Sequence, residues 1–385
     1  MIYSGSEESN RCIKLKESSL GIHCIFASVS KKGSILFIVP YPKGSAASQR
    51  FRFEQYLTLL ENEGWRISYQ SFLSEKAWKI LYKPGHIAWK VFEILKGFIR
   101  RFLLVFSIHH YDFIFIHREA APLGPPIFEL IAKALGGRII FDFDDAIWIP
   151  NYSENNRFFG FLKRFRNTQT VCKLAYKVSC GNDYLCRYAK QFNQQVVLNP
   201  TTIDTENYHN QINFHRAPTL TVGWTGTHST IRYLNDLLPV LERLEKSYSF
   251  TFRVISDRKP DFHLDSLEYV QWKEKSEIED LVEIDIGLMP LSADLWSEGK
   301  CGFKALQYMA LGIPALVSPI GVNTKIVDHG VNGFICQTHE EWYQTLSLLL
   351  ADRNMIQEMG TKTRLKIEQN FSIQSNAKNF LSLFQ

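Results

Sequence analysis

A chain of 385 residues, 45 % hydrophobic and 22 % charged, has the composition of a soluble globular protein long enough for two ordinary domains. Its net charge of +5 suits anionic small ligands or an acidic membrane surface and is too small to point to nucleic acid. The cysteines at 12, 24, 172, 180, 186, 301 and 336 are odd in number, lack metal-ligand spacing and imply a reducing compartment, and no run approaches the roughly 18 apolar residues of a spanning helix.

Residues 1–33 read as a leader expected to be disordered, or as the product of a start placed upstream of the true one. Arg11, Lys14 and Lys16 before Leu20 to Ser28 faintly resemble a signal peptide, but the apolar stretch is short and contains His23. From Ser34 the pattern changes. Ile35 to Val39 is a continuous apolar run, the mark of a strand covered on both faces. A loop holding Ser45 and Ser48 follows, where these residues and Arg50 either face a ligand or merely cap the helix expected from Gln49 to Glu61. Further strands are expected at Arg66 to Phe72, Phe113 to His117, Arg138 to Phe143, Lys177 to Cys180 and Val196 to Leu198. Between the second and third, Lys76, Lys79, Lys83, Lys90, Lys96, Arg100 and Arg101 alternate with Trp78, Trp89, Phe92, Phe98, Ile99 and Phe102. Such a mixture suits anionic headgroups at a bilayer interface; the alternative is a basic helix whose aromatics pack on the sheet.

Two groups follow strands, where a parallel sheet presents ligand-binding side chains. Arg118 and Glu119 follow the third strand, and either serve a ligand or pair with each other. Asp142, Asp144 and Asp145 close the fourth; clustered carboxylates suit an acceptor hydroxyl, a proton or a metal, with Asp142 expected to take a structural part, and the alternative is a helix cap or turn. Asn182 and Asp183 mark another cleft loop or an ordinary turn. The polar, aperiodic stretch Asn199 to Pro218 reads as the linker.

A second series of strands is expected at Leu220 to Trp224, Phe250 to Ile255, Leu267 to Val270, Asp285 to Met289, Ala315 to Ser318 and Gly333 to Ile335. Gly226, Thr227, Ser229 and Thr230 offer amides and hydroxyls for an anion nest, with His228 either a ligand group or an exposed loop histidine, and Arg232 a solvated or structural residue. In Lys300 to Pro314, Gly302 permits close backbone approach at a helix entrance, where free amides carry the positive end of the helix dipole. Lys300, Lys304 and Gln307 share a face if the helix starts early, beside an apolar stripe of Phe303, Leu306 and Met309. Lysines and amides suit a diphosphate, and Gln307 suits sugar hydroxyls; the alternative is a surface helix with solvated lysines. Thr338 with Glu341 predicts a capping box, and Asp352 and Ser372 predict two further caps. Alternating strands and helices in two series predict an α/β protein: two Rossmann-like, doubly wound parallel sheets with a ligand cleft between their carboxyl edges.

Glu277, Asp285, Pro290, Met309 to Pro314, Gly321 and Asn332 to Phe334 form an ordered pattern that resembles the C-terminal domain of the retaining nucleotide-sugar glycosyltransferases of family four, also called group one. The resemblance covers most of residues 34–385. It implies the GT-B architecture, with an N-terminal acceptor domain (34–205), a nucleotide-sugar domain (206–370) and a final helix (371–385) crossing back. Phe141 to Trp148, Gly223 to Gly226 and Pro200 to Asp204 resemble a bacterial subgroup associated with surface polysaccharides. Two departures stand out. The family's paired glutamates fall on Gly299 and Gln307, with Glu298 one residue early, and its phosphate-binding Arg and Lys are replaced by Trp224 and the Thr225 to Thr230 loop.

The implied enzyme is a cytoplasmic, membrane-peripheral transferase that moves a sugar from a nucleotide diphosphate to a glycan or lipid-linked acceptor, with no metal and no cofactor beyond the donor. The implied site places Asp144, Asp145, Glu298 and Lys304 at the chemistry. Gly226, Thr227, His228, Lys300, Gly302, Phe303, Lys304 and Gln307 hold the donor; Ser45, Arg50, Arg118 and Glu119 hold the acceptor. The competing readings are a non-catalytic scaffold of a polysaccharide complex, supported by the missing glutamates, and a sugar-nucleotide epimerase, which needs no acceptor surface.

Overall fold

The computed structural model describes residues 32–81, 83, 85–150, 166–213 and 218–385. The expected leader lies outside them up to residue 31, but its last two residues belong to the fold: the Lys32 amide donates to the Gly64 carbonyl at 3.1 Å and Gly33 opens the first strand.

Six strands build the first sheet: β1 (Gly33–Val39), β2 (Trp65–Ser71), β3 (Phe113–His117), β4 (Ile139–Phe143), β5 (Lys177–Cys180) and β6 (Val196–Leu198). Six more build the second: β7 (Leu220–Gly226), β8 (Phe250–Ser256), β9 (Leu267–Gln271), β10 (Ile286–Met289), β11 (Ala315–Val317) and β12 (Gly333–Ile335). Every pairing is parallel, in the orders β2-β1-β3-β4-β5-β6 and β12-β11-β10-β7-β8-β9. The order reverses between β1 and β3 in one sheet and between β7 and β10 in the other, so a ligand crevice opens beyond the carboxyl ends of those strands. Ile35 to Val39 have no exposed surface, the burial on both faces that their unbroken apolar run implies.

The helices preceding the second sheet are α1 (Ala47–Arg50), α2 (Leu57–Asn62), α3 (Glu75–Leu81), α4 (Ile87–Val105), α5 (Ile127–Ala134), α6 (Asn167–Leu174) and α7 (Asp183–Lys190). The single helix expected from Gln49 to Glu61 is broken into α1, a 3-10 turn over Glu54–Tyr56 and α2. At the break Phe51 packs with the second sheet's core, Phe53 with the core around β1 and β3, and Arg52 between them pairs with Asp142.

After β7 come α8 (Arg232–Asn235), α9 (Leu238–Glu245), α10 (Glu277–Val282), α11 (Leu295–Glu298), α12 (Phe303–Ala310), α13 (Asn323–Ile326), α14 (His339–Ala351), α15 (Arg353–Asn370) and α16 (Ile373–Leu381). The expected caps form: Thr338 and Glu341 make the capping box of α14, Asp352 caps α15 and Ser372 caps α16. The segment read as a linker is packed, with Thr201, Thr202, Ile203 and His209 buried and Ile203 bridging to Ser372. From there α16 lies on the first sheet. Phe380 stacks on Tyr56 at 4.2 Å between ring centroids, and Lys177 donates to the Ser382 carbonyl at 2.6 Å.

Candidate active site

The second sheet contributes its cations through α12 and the turn before it. Tyr308, fully buried, accepts a 2.8 Å hydrogen bond from the Thr225 amide of β7, which fixes the helix beside the switch point. Gly302 caps the helix without a side chain and has φ +70°, a left-handed conformation that favours glycine. A Cβ there would lie 2.1 Å from Ile326 Cδ1, so this glycine serves the turn and its packing rather than the open ligand approach the sequence suggested. The amides that start α12 therefore have no side-chain cap and keep their donor capacity. Because the helix starts at Phe303, Lys300 lies in the preceding turn; Lys304 and Gln307 share a face as residues three apart.

Lys304 sits over the Trp224 ring, its ammonium 5.4 Å from the centroid, and forms no carboxylate ion pair among the described residues. Burial, with Lys300 as a nearby like charge, pushes its pKa down to about 8 against the opposing pull of Asp145. Lys300 reaches across the cleft to Asp145 at 2.8 Å. Burial alone would lower its pKa, but the facing carboxylate outweighs that and raises it.

On the first sheet, Arg118 follows β3 with φ +60°. Its guanidinium spans both carboxylates of the β4 loop, 2.7 Å from Asp144 and 2.7 Å from Asp145. Arg118 thus pairs with the aspartates rather than with Glu119. Burial tends to raise the pKa of Asp145, but Lys300 and Arg118 prevail and hold it below the usual carboxylate range. Three residues before Asp145, Asp142 is fully buried and takes Arg52 at 2.5 Å and His117 Nδ1 at 2.8 Å. It anchors the loop from beneath.

The two edges touch closely around this loop. Asn182 caps α7 by accepting from the Leu185 amide, and donates to the carbonyls of Glu298 and Lys300 at 3.1 and 3.0 Å. A Cβ on Gly181 would meet Cys301 Sγ at 2.3 Å, so only glycine allows this approach. Cys301 Sγ itself donates to the Asp144 carbonyl at 3.0 Å. Arg118, Asp144, Asp145, Lys300 and Lys304 consequently converge on one cleft.

Other candidate residues lie elsewhere. Glu298 directs its carboxylate to the Gly321 amide at 3.2 Å. Phe303 packs on Phe51, 4.5 Å between centroids. Arg50 is taken up at 2.6 Å by Glu277 of the second sheet's side, which also accepts from Tyr208 at 2.7 Å, so its guanidinium joins the halves instead of standing free for an acceptor. Ser45 closes its own turn on the Pro42 carbonyl at 2.8 Å. Glu119 is half-buried beside Arg118 in the sequence, its amide donating to the His117 carbonyl at 2.7 Å. Beyond β7, Thr227 and Ser229 pair through their hydroxyls at 2.8 Å, the Thr227 amide donates to Thr230 Oγ1 at 3.2 Å, and His228 meets Asp257 at 2.6 Å. Gly226 fits against Trp224 and Thr230, and Arg232 is exposed. Gln307 is buried, with Glu277 Oε1 3.5 Å from its amide nitrogen. The sequence reading gave no site role to Glu277 or Asp257; an acidic residue in a first helical turn or after a strand carries no signal that separates it from ordinary capping. Among the described residues no cluster of three metal-ligating side chains occurs.

Residues 219–352, which hold β7 to β12 and the α12 cations, match the family model described as glycosyl transferases group 1. The matched segment makes up about a third of the chain. Spore coat protein SA of Bacillus subtilis (strain 168) is 30 % identical over 80 residues, 20 % of this chain and 21 % of that protein, so the match spans about a fifth of the relative's length. Over nearly the whole chain the fold is shared with a glycosyltransferase from Rickettsia africae ESF-5 (TM-score 0.63, 13 % identity, 92 % of this chain and 98 % of that one). It is shared likewise with Anabaena HepE solved with UDP and glucose (TM-score 0.58, 13 % identity, 91 % and 99 % covered). The two sheets together form the GT-B architecture.

Proposed function

We propose that the protein is a retaining glycosyltransferase that moves a sugar from a nucleotide diphosphate donor to a glycan or lipid-linked acceptor in surface polysaccharide synthesis, on the cytoplasmic face of the plasma membrane. One observation carries the reading: Lys304, a half-buried cation without a carboxylate partner among the described residues, stands at the uncapped entrance of α12 and opposite the Arg118–Asp144–Asp145 group. In the transfer, the bond from the anomeric carbon to the donor's phosphate oxygen breaks and the acceptor hydroxyl oxygen bonds to that carbon on the same face. Negative charge grows on the departing diphosphate, and fixed cations and amides lower the barrier by stabilising it. Lys304 and the first amides of α12 fill that role. Asp145, held ionised by two cations, is a weak base at neutral pH. It and Asp144 orient the acceptor hydroxyl, whose proton passes to the departing phosphate. No divalent ion takes part.

The test incubates the purified chain with a panel of nucleotide diphosphate sugars, following thermal stabilisation, donor turnover and the anomeric configuration of the product, with and without chelator. Stabilisation by a donor, turnover indifferent to chelator and a retained configuration are expected; absence of binding to every donor overturns the reading. The placement of Glu298 on the Gly321 amide, with glycine and glutamine at the family's glutamate positions, favours a second reading. A non-catalytic scaffold binds a donor without turnover, and a Lys304→Ala variant leaves glycan synthesis intact in cells.

A further inference from the structure

Helix α4 turns its polar stripe inward and its apolar stripe outward. Glu93, Gly97 and Arg101, four residues apart, are its buried positions. Arg101 donates to the carbonyls of Ala120, Val39 and Gln70 at 2.7, 3.0 and 3.1 Å, and Glu93 accepts from Ser74 at 2.7 Å. The inward polar groups are thus satisfied, and the helix is fastened to the sheet by them. On the opposite side Phe92, Leu95, Ile99, Phe102, Leu103 and Phe106, at helical steps of three and four, are each 52–66 % exposed. Ile127 and Leu130 of the adjoining α5 are exposed as well. The sequence left open whether these aromatics pack on the sheet; most of this stripe does not.

A contiguous apolar face of this size marks an interaction surface. Its surroundings specify the partner. Between residues 75 and 106 only two acidic residues occur, one of which, Glu93, is buried, whereas Lys76, Lys79, Lys83 and Lys96 are exposed on α3, α4 and their connection. An apolar helical face rimmed by lysines complements a bilayer whose headgroups are anionic. Among the described residues no helix is long and apolar enough to cross a membrane, so the contact is interfacial. We propose that α4 lies along an anionic lipid bilayer, its outer face inserted and the lysines of α3 and the α3–α4 connection on the headgroups. The proposal rests on the membrane-peripheral part of the reading above and not on its chemistry. It also places the site: the carbonyls that Arg101 grips end β1 and β2 and follow β3, the carboxyl edge from which Arg118 projects. A lipid-linked acceptor lying in that bilayer would meet the acceptor side of the cleft.

Flotation of the full chain with phosphatidylcholine vesicles, alone or with a third phosphatidylglycerol, tests this. The expected result is at least tenfold stronger partitioning onto the anionic vesicles, weakened by salt. Phe102→Ser combined with Leu103→Ser should reduce it at least tenfold, and Lys76→Glu with Lys79→Glu and Lys83→Glu should abolish the anionic preference; thermal unfolding confirms that both variants fold. Equal partitioning of wild type and the serine variant overturns the proposal. So does a wild-type dimer that the serine variant dissociates while vesicle binding is unchanged, because the face then belongs to a second copy. Donor binding is measured in parallel. Vesicle binding without donor turnover sinks the transferase reading alone, and donor turnover without vesicle binding sinks this one.

Discussion

The two edges of the cleft treat charge in opposite ways. On the first sheet the described cations at the cleft are committed: Arg52 to Asp142, Arg118 to Asp144 and Asp145, Arg50 to Glu277. On the second, Lys304 has no such partner among the described residues, and its pKa has fallen to about 8 because burial and Lys300 disfavour its charge. Committed charges fix where loops stand. Under the proposed function, the cation left short of countercharge receives the donor's diphosphate.

The largest expected effect strikes the committed side. Replacing Arg52 by Met leaves Asp142 buried with one partner fewer, and losing half of a buried ion pair typically costs about 3–5 kcal/mol. Chemical denaturation should show a loss of that size, and a loss below about 1 kcal/mol would mean the network is not what holds the β4 loop. On the open side, Lys304→Ala should leave stability nearly unchanged while weakening donor binding by about 1.5–3 kcal/mol, the worth of a charge-assisted hydrogen bond. The wild-type affinity should also decline as pH rises through about 8, where Lys304 loses its proton. Titration calorimetry across pH 7–9.5, as a rough working range, checks both. An affinity flat with pH would remove Lys304 from the donor site.

The fold was legible because its signals are redundant. Among the described residues all twelve strands fall within two residues of the stretches expected for them, and Phe113–His117, Lys177–Cys180, Val196–Leu198 and Gly333–Ile335 begin and end where the sequence places them. The break at Phe51 to Phe53 was not legible, since it depends on Arg52 finding Asp142, ninety positions away in sequence. The site divides along the same line. Lys300 and Lys304 announce themselves by position at a helix entrance, whereas the commitment of Arg50 to Glu277 arises only when the two sheets face each other. In α4 the periodicity was visible but its direction was not, because periodicity alone cannot say which stripe faces inward when buried Glu93 and Arg101 are satisfied by tertiary partners.

The packed segment joining the sheets offers a third treatment, in which charge is refused. His209 is fully buried with neither ring nitrogen hydrogen-bonded among the described residues, and burial, then Arg50 and Arg364, push its pKa down to about 3. The unfolded chain takes up this proton below about pH 6.5. Between those values the unfolded state binds more protons, so stability falls on acidification by up to about 1.4 kcal/mol per pH unit from this residue. Denaturant titrations of wild type and His209→Leu between roughly pH 4 and 7 should show a shallower acid limb in the variant. Parallel limbs would place the acid sensitivity elsewhere.

The smallest effect on stability, and the sharpest on the comparison itself, should come from Asp145→Asn. Lys300 and Asp145 join the two edges at 2.8 Å while both keep some contact with solvent, and such partly exposed pairs contribute about 1 kcal/mol or less. The substitution converts Lys300 from a committed cation into an uncommitted one, like Lys304. If the two lysines receive the same diphosphate, donor binding should tighten by a few-fold because no carboxylate competes for Lys300. Turnover should nevertheless fall, because the acceptor hydroxyl loses a charged oxygen that orients it. Opposite movements of donor affinity and turnover in one variant assign Lys300 to the donor and Asp145 to the acceptor, whereas weaker donor binding would show that the ion pair shapes the cleft instead of guarding it.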